Sequence, residues 1–362
     1  MERIHIGFFG ATNSGKSTLV NTICGQEVSL VSAVPGTTTD PVRKLAELPG
    51  LGPCVLIDTA GLDDTGILGS ERERRTRAVL DETDVAVALD DTLSDTLDSA
   101  GIPYVKYKRG ESVESLIERI AAIAPKEEEK YLTGSLVKPG DTVVLVMPQD
   151  SEAPKGRLIL PQVQVIRELL DRGCVPHCCT PASLPAAMKS LAGLPDLVIT
   201  DSQVFKLVND TIPKQCPLTS FSVLLASAKG DIKVFVEGAK AIDSLKPGIR
   251  VLIAEACTHV PDTEDIGRVK IPALLRKKIA GQAGNDAEAG NDGGIQVDIA
   301  AGNDFPEDLS PYSLIIHCGA CVANARVVRS RIRKALLAGV PITNYGITIA
   351  ALQGILPRIS LP

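Results

Sequence analysis

The opening segment RIHIGFFGATNSGKSTLVNTICG (residues 3–25) constrains the fold more than any other part of the chain. An apolar run leads into G-x-x-x-x-G-K-[ST], with Gly10, Gly15, Lys16 and Ser17 at the required offsets, and a helix-forming stretch follows. A strand that ends in this loop and opens a helix is the setting in which the motif binds phosphate. Its glycines let successive backbone N–H groups close on phosphate oxygens. Lys16 then reaches the β- and γ-phosphates, and Ser17 ligates Mg²⁺. Asn13, Ser14 and Thr18 complete the loop and its first helical turn. A chance glycine-rich turn is the weaker reading in that context.

Up to about Pro125 strands and helices alternate: RIHIGFFG, CVLIDTAG, DVAVALD, IPYVKY, then the helical ESVESLIERIAAIA. In that last helix Val113, Leu116, Ile117, Ile120 and Ala124 share one face at 3.6-residue spacing. The chain is 44% apolar, yet it has only five Tyr, six Phe and no Trp, so Leu, Ile, Val and Ala must build its cores. Helix-covered parallel sheets have that composition. At 362 residues the chain has room for two or three domains. The net charge of −6 and the absence of Lys/Arg runs speak against a nucleic-acid partner. No apolar run reaches the ~18 residues of a membrane span, and no secretory leader pattern is present. Nine cysteines, an odd number, suit a reducing cytoplasm better than a disulfide framework.

Two further segments bear on the nucleotide. PGTTTD (35–40) supplies Thr38, placed to reach Mg²⁺ and the γ-phosphate, and LIDTAG (56–61) ends a strand with Asp58 set for the metal and the Gly61 N–H for the γ-phosphate. In this order they resemble the switch segments of small Ras-like GTPases, specifically the group containing Era and MnmE. That resemblance implies GTP and Mg²⁺ as cofactors, with Lys16, Thr38 and Gly61 acting on the phosphates. It also implies K⁺ held with the help of Asn13. Leu62 stands where Ras-like proteins carry a water-orienting Gln, so hydrolysis should be slow. The guanine-selecting N-K-x-D is replaced by Tyr107-Lys108-Arg109-Gly110, and a final strand with its Ser-Ala-Lys signature is not evident. The domain therefore reads as shortened.

After the charged PKEEEK (125–130), which reads as a linker, a second α/β unit carries DTVVLVMP, LPQVQVIRELLDRG and DLVITD. The third unit carries GIRVLIAEACTH, SLIIHC, ARVVRSRIRKALLAG and VPITNYG. The expected fold class is α/β: three α/β units with mainly parallel sheets, over 1–124, 131–229 and 230–362, the first a shortened P-loop GTPase domain. Within the third unit Ala-Gly-Asn-Asp occurs three times (283–286, 289–292, 301–304), and its turn-forming steps read as a loop. SAKGD (227–231) reads as a turn, and CVPHCC (174–179) as the packed start of a strand rather than a metal site.

Three Cys and two His fall in two small windows, Cys257-Thr258-His259 and His317-Cys318-Gly319-Ala320-Cys321. Each follows an apolar strand, and the carboxyl ends of parallel strands share one edge, so the windows should converge. A helix follows CGAC, and its N-terminal dipole favours an anionic metal–thiolate centre. Three thiolates with one weaker ligand fit an iron–sulfur cluster with an exchangeable iron. They fit structural Cys₃His zinc equally well.

The nucleotide loop, the middle unit and the terminal C-x-H…H-C-x-x-C together resemble the FeFe-hydrogenase maturation GTPases, the HydF family. VLIAEACTH, DFPEDLSPYSLIIHCGAC and AGVPITNYGITIAALQGIL carry most of the likeness. The resemblance implies a GTPase domain, a dimerisation domain that makes a homodimer, and a domain holding a 4Fe-4S cluster. Cys257, Cys318 and Cys321 match the thiolate ligands, and His259 and His317 the weaker, replaceable positions. The implied role is a scaffold or carrier. It receives a transient di-iron precursor with the help of the radical-SAM maturases HydE and HydG and delivers it to the FeFe-hydrogenase apoprotein. The alternative from another class is a zinc-stabilised Era/MnmE-like adaptor in ribosome or tRNA processes.

Overall fold

The computed structural model describes residues 3–25, 41–59, 76, 78–91, 93–125, 131–149, 158–256, 265–282, 294–302, 304–321 and 323–362. The chain divides into two compact units, Met1–Glu128 and Glu129–Pro362. The PKEEEK linker lies, apart from Pro125, outside the described residues.

The first unit is built on β1 (Ile4–Phe9), β2 (Val42–Leu48), β3 (Gly52–Asp58), β4 (Val85–Ala88) and β5 (Tyr104–Lys106), in the order β2-β3-β1-β4-β5. All neighbours are parallel except β2, which runs antiparallel to β3. The central strands read as continuous apolar runs because both faces are buried. Ile6, Phe8, Leu56, Val85 and Val87 enter one core. Phe9, Val55, Ile57, Ala86 and Ala88 enter the other. Helix Val113–Ile123 begins where the Ser112 hydroxyl accepts the Ser115 N–H, and it buries Leu116, Ile117 and Ile120 against the first of these cores. Among the described residues β5 is the edge and no sixth strand follows it, which is the shortening read from the sequence.

The second unit contains two four-stranded parallel sheets. One comprises β6 (Thr142–Val146), β7 (Val175–Cys179), β8 (Leu197–Thr200) and β9 (Leu218–Ser220), ordered β7-β6-β8-β9. The other comprises β10 (Arg250–Ala254), β11 (Gln296–Ala300), β12 (Leu314–His317) and β13 (Ile342–Asn344), ordered β11-β10-β12-β13. A single hydrophobic core joins them: Val144, Val146 and Val198 of the first sheet lie in one cluster with Val251, Ile253, Ile315 and Ile342 of the second.

Two local expectations change and a third holds. The segment from Gly281 to Asp304 is not simply a loop. It finishes helix Ile271–Gln282 and then supplies β11, paired in parallel with β10, while residues 283–293 lie outside the described residues. SAKGD is not a turn: Ser227, Ala228 and Lys229 are the last turn of helix Phe221–Lys229, and Asp231 caps the next helix, Ile232–Ala239, by accepting from Lys233 and Val234 N–H groups. CVPHCC does form a strand, β7, at the open edge of its sheet. No helix among the described residues is long and apolar enough to cross a membrane.

Candidate functional site

At the carboxyl edge of the first sheet the chain leaves β1 through Gly10 and re-enters helix Lys16–Cys24 through Gly15, whose φ of 97° requires glycine. Asn13 sits at φ 61°, a left-handed conformation that Asn tolerates better than most residues, so backbone geometry alone gives this Asn a role. Lys16 is buried, and its Nζ donates to Gly10 O (2.9 Å), Ala11 O (2.7 Å) and Ser14 Oγ (3.5 Å). Ser17 and Thr18 are exposed on the first helical turn. In register with Phe8 on the neighbouring strand stands Asp58, whose Oδ1 is buried and has no hydrogen-bond partner among the described residues. A buried lone carboxylate oxygen beside the loop suits a divalent cation. Thr38 and Gly61 lie outside the described residues.

Sequence reasoning missed Asp90. Its Oδ2 accepts the Ala11 N–H at 2.6 Å and so fixes the start of the loop from the end of β4. Where a guanine-selecting carboxylate would be expected, after β5, the nearby Glu111 is already engaged. It accepts from Lys108 N–H (2.7 Å) and from Arg119 Nη1 (2.8 and 3.0 Å).

The second site lies at the carboxyl edge of the β11-β10-β12-β13 sheet, where Ala254 and His317 are in register, so the strands that precede the two ligand windows end side by side. Cys318 Sγ accepts two backbone N–H groups, from Ala256 at 3.1 Å and Ala320 at 3.4 Å. Ala256 immediately precedes Cys257, but Cys257 and His259 lie outside the described residues. Ala320 turns the loop with φ 50°. Cys318 and Cys321 are half-buried, and neither forms a disulfide among the described residues. Among the described residues, no three of His, Cys, Asp or Glu come together as a metal site, CVPHCC included.

His317 is fully buried and held well below its usual range, to about 3, by burial and the adjacent Arg331 charge, against the pull of its bond to the Cys318 carbonyl. It is therefore a neutral imidazole. Nδ1–H donates to Cys318 O (2.8 Å), and Nε2 accepts from Arg331 Nη1 (3.1 Å). Both ring nitrogens are thus taken, and His317 would have to give up Arg331 to ligate a metal. Arg331 is itself buried; it also donates to Glu255 O and Gly302 O and lies over the Phe305 ring.

Two more residues complete the surroundings, and neither was legible as functional. Tyr345 presents a buried hydroxyl with no hydrogen-bond partner among the described residues. Burial first, then the nearby Cys318 and Glu255, push its phenol above its ordinary value, so it stays a neutral donor. Gly267, in a π-helical turn (Ile266–Lys270), makes room for it: a Cβ there would stand 2.0 Å from the Tyr345 hydroxyl. Lys229 Nζ donates to Ala320 O (2.8 Å), Cys321 O (3.3 Å) and Ala323 O (2.7 Å), so one buried ammonium gathers the carbonyls of the cysteine loop.

Comparison with known proteins matches three family models along the chain. Residues 5–133 match the 50S ribosome-binding GTPase model, residues 132–230 the hydrogen maturase F dimerization domain, and residues 233–362 the hydrogen maturase F tetramerization domain. The tRNA modification GTPase MnmE of Nitrosospira multiformis is 41% identical over 92 residues, 25% of this chain and 20% of that protein. GTPase Der of Clostridium botulinum is 40% identical over 96 residues, 25% of this chain and 22% of that protein. The chain thus spans about a fifth of the length of these curated relatives. Among solved structures, Era of Aquifex aeolicus aligns with 83% of this chain and 94% of its own at 15% identity, with a TM-score of 0.24, too low to bear on the fold. A P-loop GTPase domain followed by both hydrogen maturase F domains is the architecture of the HydF family of hydrogenase-maturation GTPases, and this chain belongs to that family.

Proposed function

We propose that this chain is a GTP-hydrolysing scaffold that holds a 4Fe-4S cluster and carries the di-iron precursor of an FeFe-hydrogenase active site to the apoprotein. The observation that carries the reading is the cradle around Cys318. Its sulfur takes N–H bonds from its own loop and from Ala256, the residue before Cys257, at the edge where β10 and β12 end side by side. Soft thiolate donors with backbone N–H support fit an iron–sulfur cluster. In this reading Cys257, Cys318 and Cys321 supply the thiolates. His259 takes the replaceable fourth position, and His317 supports the loop through Arg331. The cluster would supply an open iron for the incoming precursor.

At the other site Lys16 and the loop N–H groups bind the phosphates of GTP. Ser17, Thr38 and Asp58 hold Mg²⁺, Gly61 N–H meets the γ-phosphate, and Asn13 helps hold K⁺. Hydrolysis tunes the exchange of partners, the radical-SAM maturases HydE and HydG and the hydrogenase. The match to the dimerization model supports a homodimer, and the eight described cysteines, none in a disulfide among the described residues, suit a reducing cytoplasm.

Anaerobic purification tests this reading. A brown protein with iron and sulfide, bleached by dithionite, supports it, and Cys318→Ser should lose the colour while Lys16→Ala keeps it. A colourless protein with stoichiometric zinc would overturn it in favour of the zinc-stabilised adaptor.

A further inference from the structure

Helix Phe221–Lys229 belongs by sequence to the middle sheet, yet both its ends grip the edge where the cysteine loop lies. Phe221 and Leu224 pack into the core of the middle sheet, whereas Val223 and Ala226 lie in the core shared with the last sheet. Near its start the Ser222 hydroxyl accepts from Asn344 Nδ2 and Gly346 N–H, both at 3.2 Å, and Asn344 is in register with His317. At its end Lys229, 6% exposed, directs its ammonium at three carbonyls of the loop. Gly230 lets the chain leave at once, since a Cβ there would stand 2.7 Å from the Phe235 ring.

An ammonium offers three N–H donors, and Ala320, Cys321 and Ala323 each accept from this one. Two consequences follow. Those carbonyls are turned toward Lys229, which fixes the peptide planes between and beyond the two cysteines. The positive charge is also bonded to the peptide of Cys321 and to that of Ala320 beside it, at a site where burial of the ammonium leaves it less screened than a surface charge. A thiolate-bound cluster is anionic, and a fixed cation beside it stabilises its reduced form.

We propose that Lys229 is a positioning residue for the cysteine loop, holding the Cys318–Cys321 turn in its ligating shape and raising the reduction potential of the cluster bound there. The second half rests on the iron–sulfur reading above, and the first half does not.

Lys229→Gln keeps hydrogen-bond donors without the charge, and Lys229→Met keeps only the length. In the reconstituted full-length protein, both variants should shift the cluster's midpoint potential to more negative values. Lys229→Met should also release iron to a chelator about 10–100-fold faster. In metal-free protein, hydrogen exchange at the amides from Gly319 to Ala323 should quicken about tenfold or more in Lys229→Met. If Lys229→Met fails to fold, Lys229→Gln decides alone: an unchanged potential overturns the electrostatic role. Unchanged loop exchange in a folded Lys229→Met overturns the positioning role, whatever metal the wild type binds. A wild type that takes up no iron–sulfur cluster, yet shows the quickened exchange on substitution, refutes the cluster reading and leaves the loop assignment standing.

Discussion

Helix Ile232–Ala239 crosses β13 so closely that a Cβ on Gly238 would stand 2.0 Å from Ile342 O, 2.6 Å from its carbonyl carbon and 3.0 Å from its nitrogen. These are strand backbone atoms, so no side chain can rotate aside. Carbon contacts are most favourable at about 3.5–4.0 Å, so Gly238→Ala must lift the helix by more than ~1 Å. That displacement loosens Phe235 and Ala239, which are 1% and 2% exposed on the same helix, and a gap of ~0.5–1 Å already forfeits a quarter to a half of a contact's dispersion energy. Overpacking of this kind costs about 1–3 kcal/mol. For a unit of this size each kcal/mol moves the melting temperature by about 2–4 °C, so the expected drop is ~2–12 °C. Calorimetry is the suitable assay, because the chain has no Trp to report by fluorescence. Gly193→Ala is the control: a Cβ there meets nothing within 4 Å, and the same chemical change should be neutral or slightly stabilising. A Gly238→Ala protein that melts within ~1 °C of wild type would refute the argument, because the helix would then ride on the strand without close contact.

Lys16→Ala should abolish nucleotide binding in equilibrium titrations, since it removes both the phosphate contact and the bonds that hold Gly10 and Ala11. Tyr345→Phe removes a buried hydroxyl that has no partner among the described residues, so the metal-free protein should be as stable as wild type or up to ~1–3 kcal/mol more stable in urea. A clear loss of stability would mean that the hydroxyl is bonded. Burial alone would raise the Glu82 carboxyl, but the His5 ring and Arg43 guanidinium more than reverse this and hold it below its ordinary value. The folded state therefore binds that proton less readily than the unfolded chain. Its stabilisation is full above the ordinary carboxylate range and is lost as pH falls through the depressed value. Urea midpoints of the first unit should fall with acid more steeply in wild type than in Glu82→Gln, and parallel curves would refute the linkage.

The nucleotide loop was legible because its chemistry is local. Strand, glycines, lysine and hydroxyl fall within 25 residues, and the fold must place them together. The convergence of β10 and β12 could also be read, since parallel strands ending in ligand-type residues share an edge. β11 was hidden by its setting: five residues on a sheet edge, flanked by Gly, Asn and Asp that signal turns. Lys229 was hidden for a different reason. Its acceptors lie 91 to 94 residues away, and backbone carbonyls leave no mark on the sequence that calls for a lysine. Asp90 is a similar case, reaching Ala11 from 79 residues away. The engagement of His317 by Arg331 depends on which face of helix Ala325–Leu337 turns inward, and a histidine beside two cysteines reads more readily as a ligand.

The core shared by the last two sheets has a consequence for how this chain can be divided. The matched dimerization and tetramerization segments meet at Gly230–Lys233, but Val144, Val198, Val251 and Ile315 belong to one apolar cluster across that junction. A cut there would bare an oily face on each fragment. Expressed alone, either half would expose apolar residues that the other covers, so the two stretches form one compact unit although they match two family models.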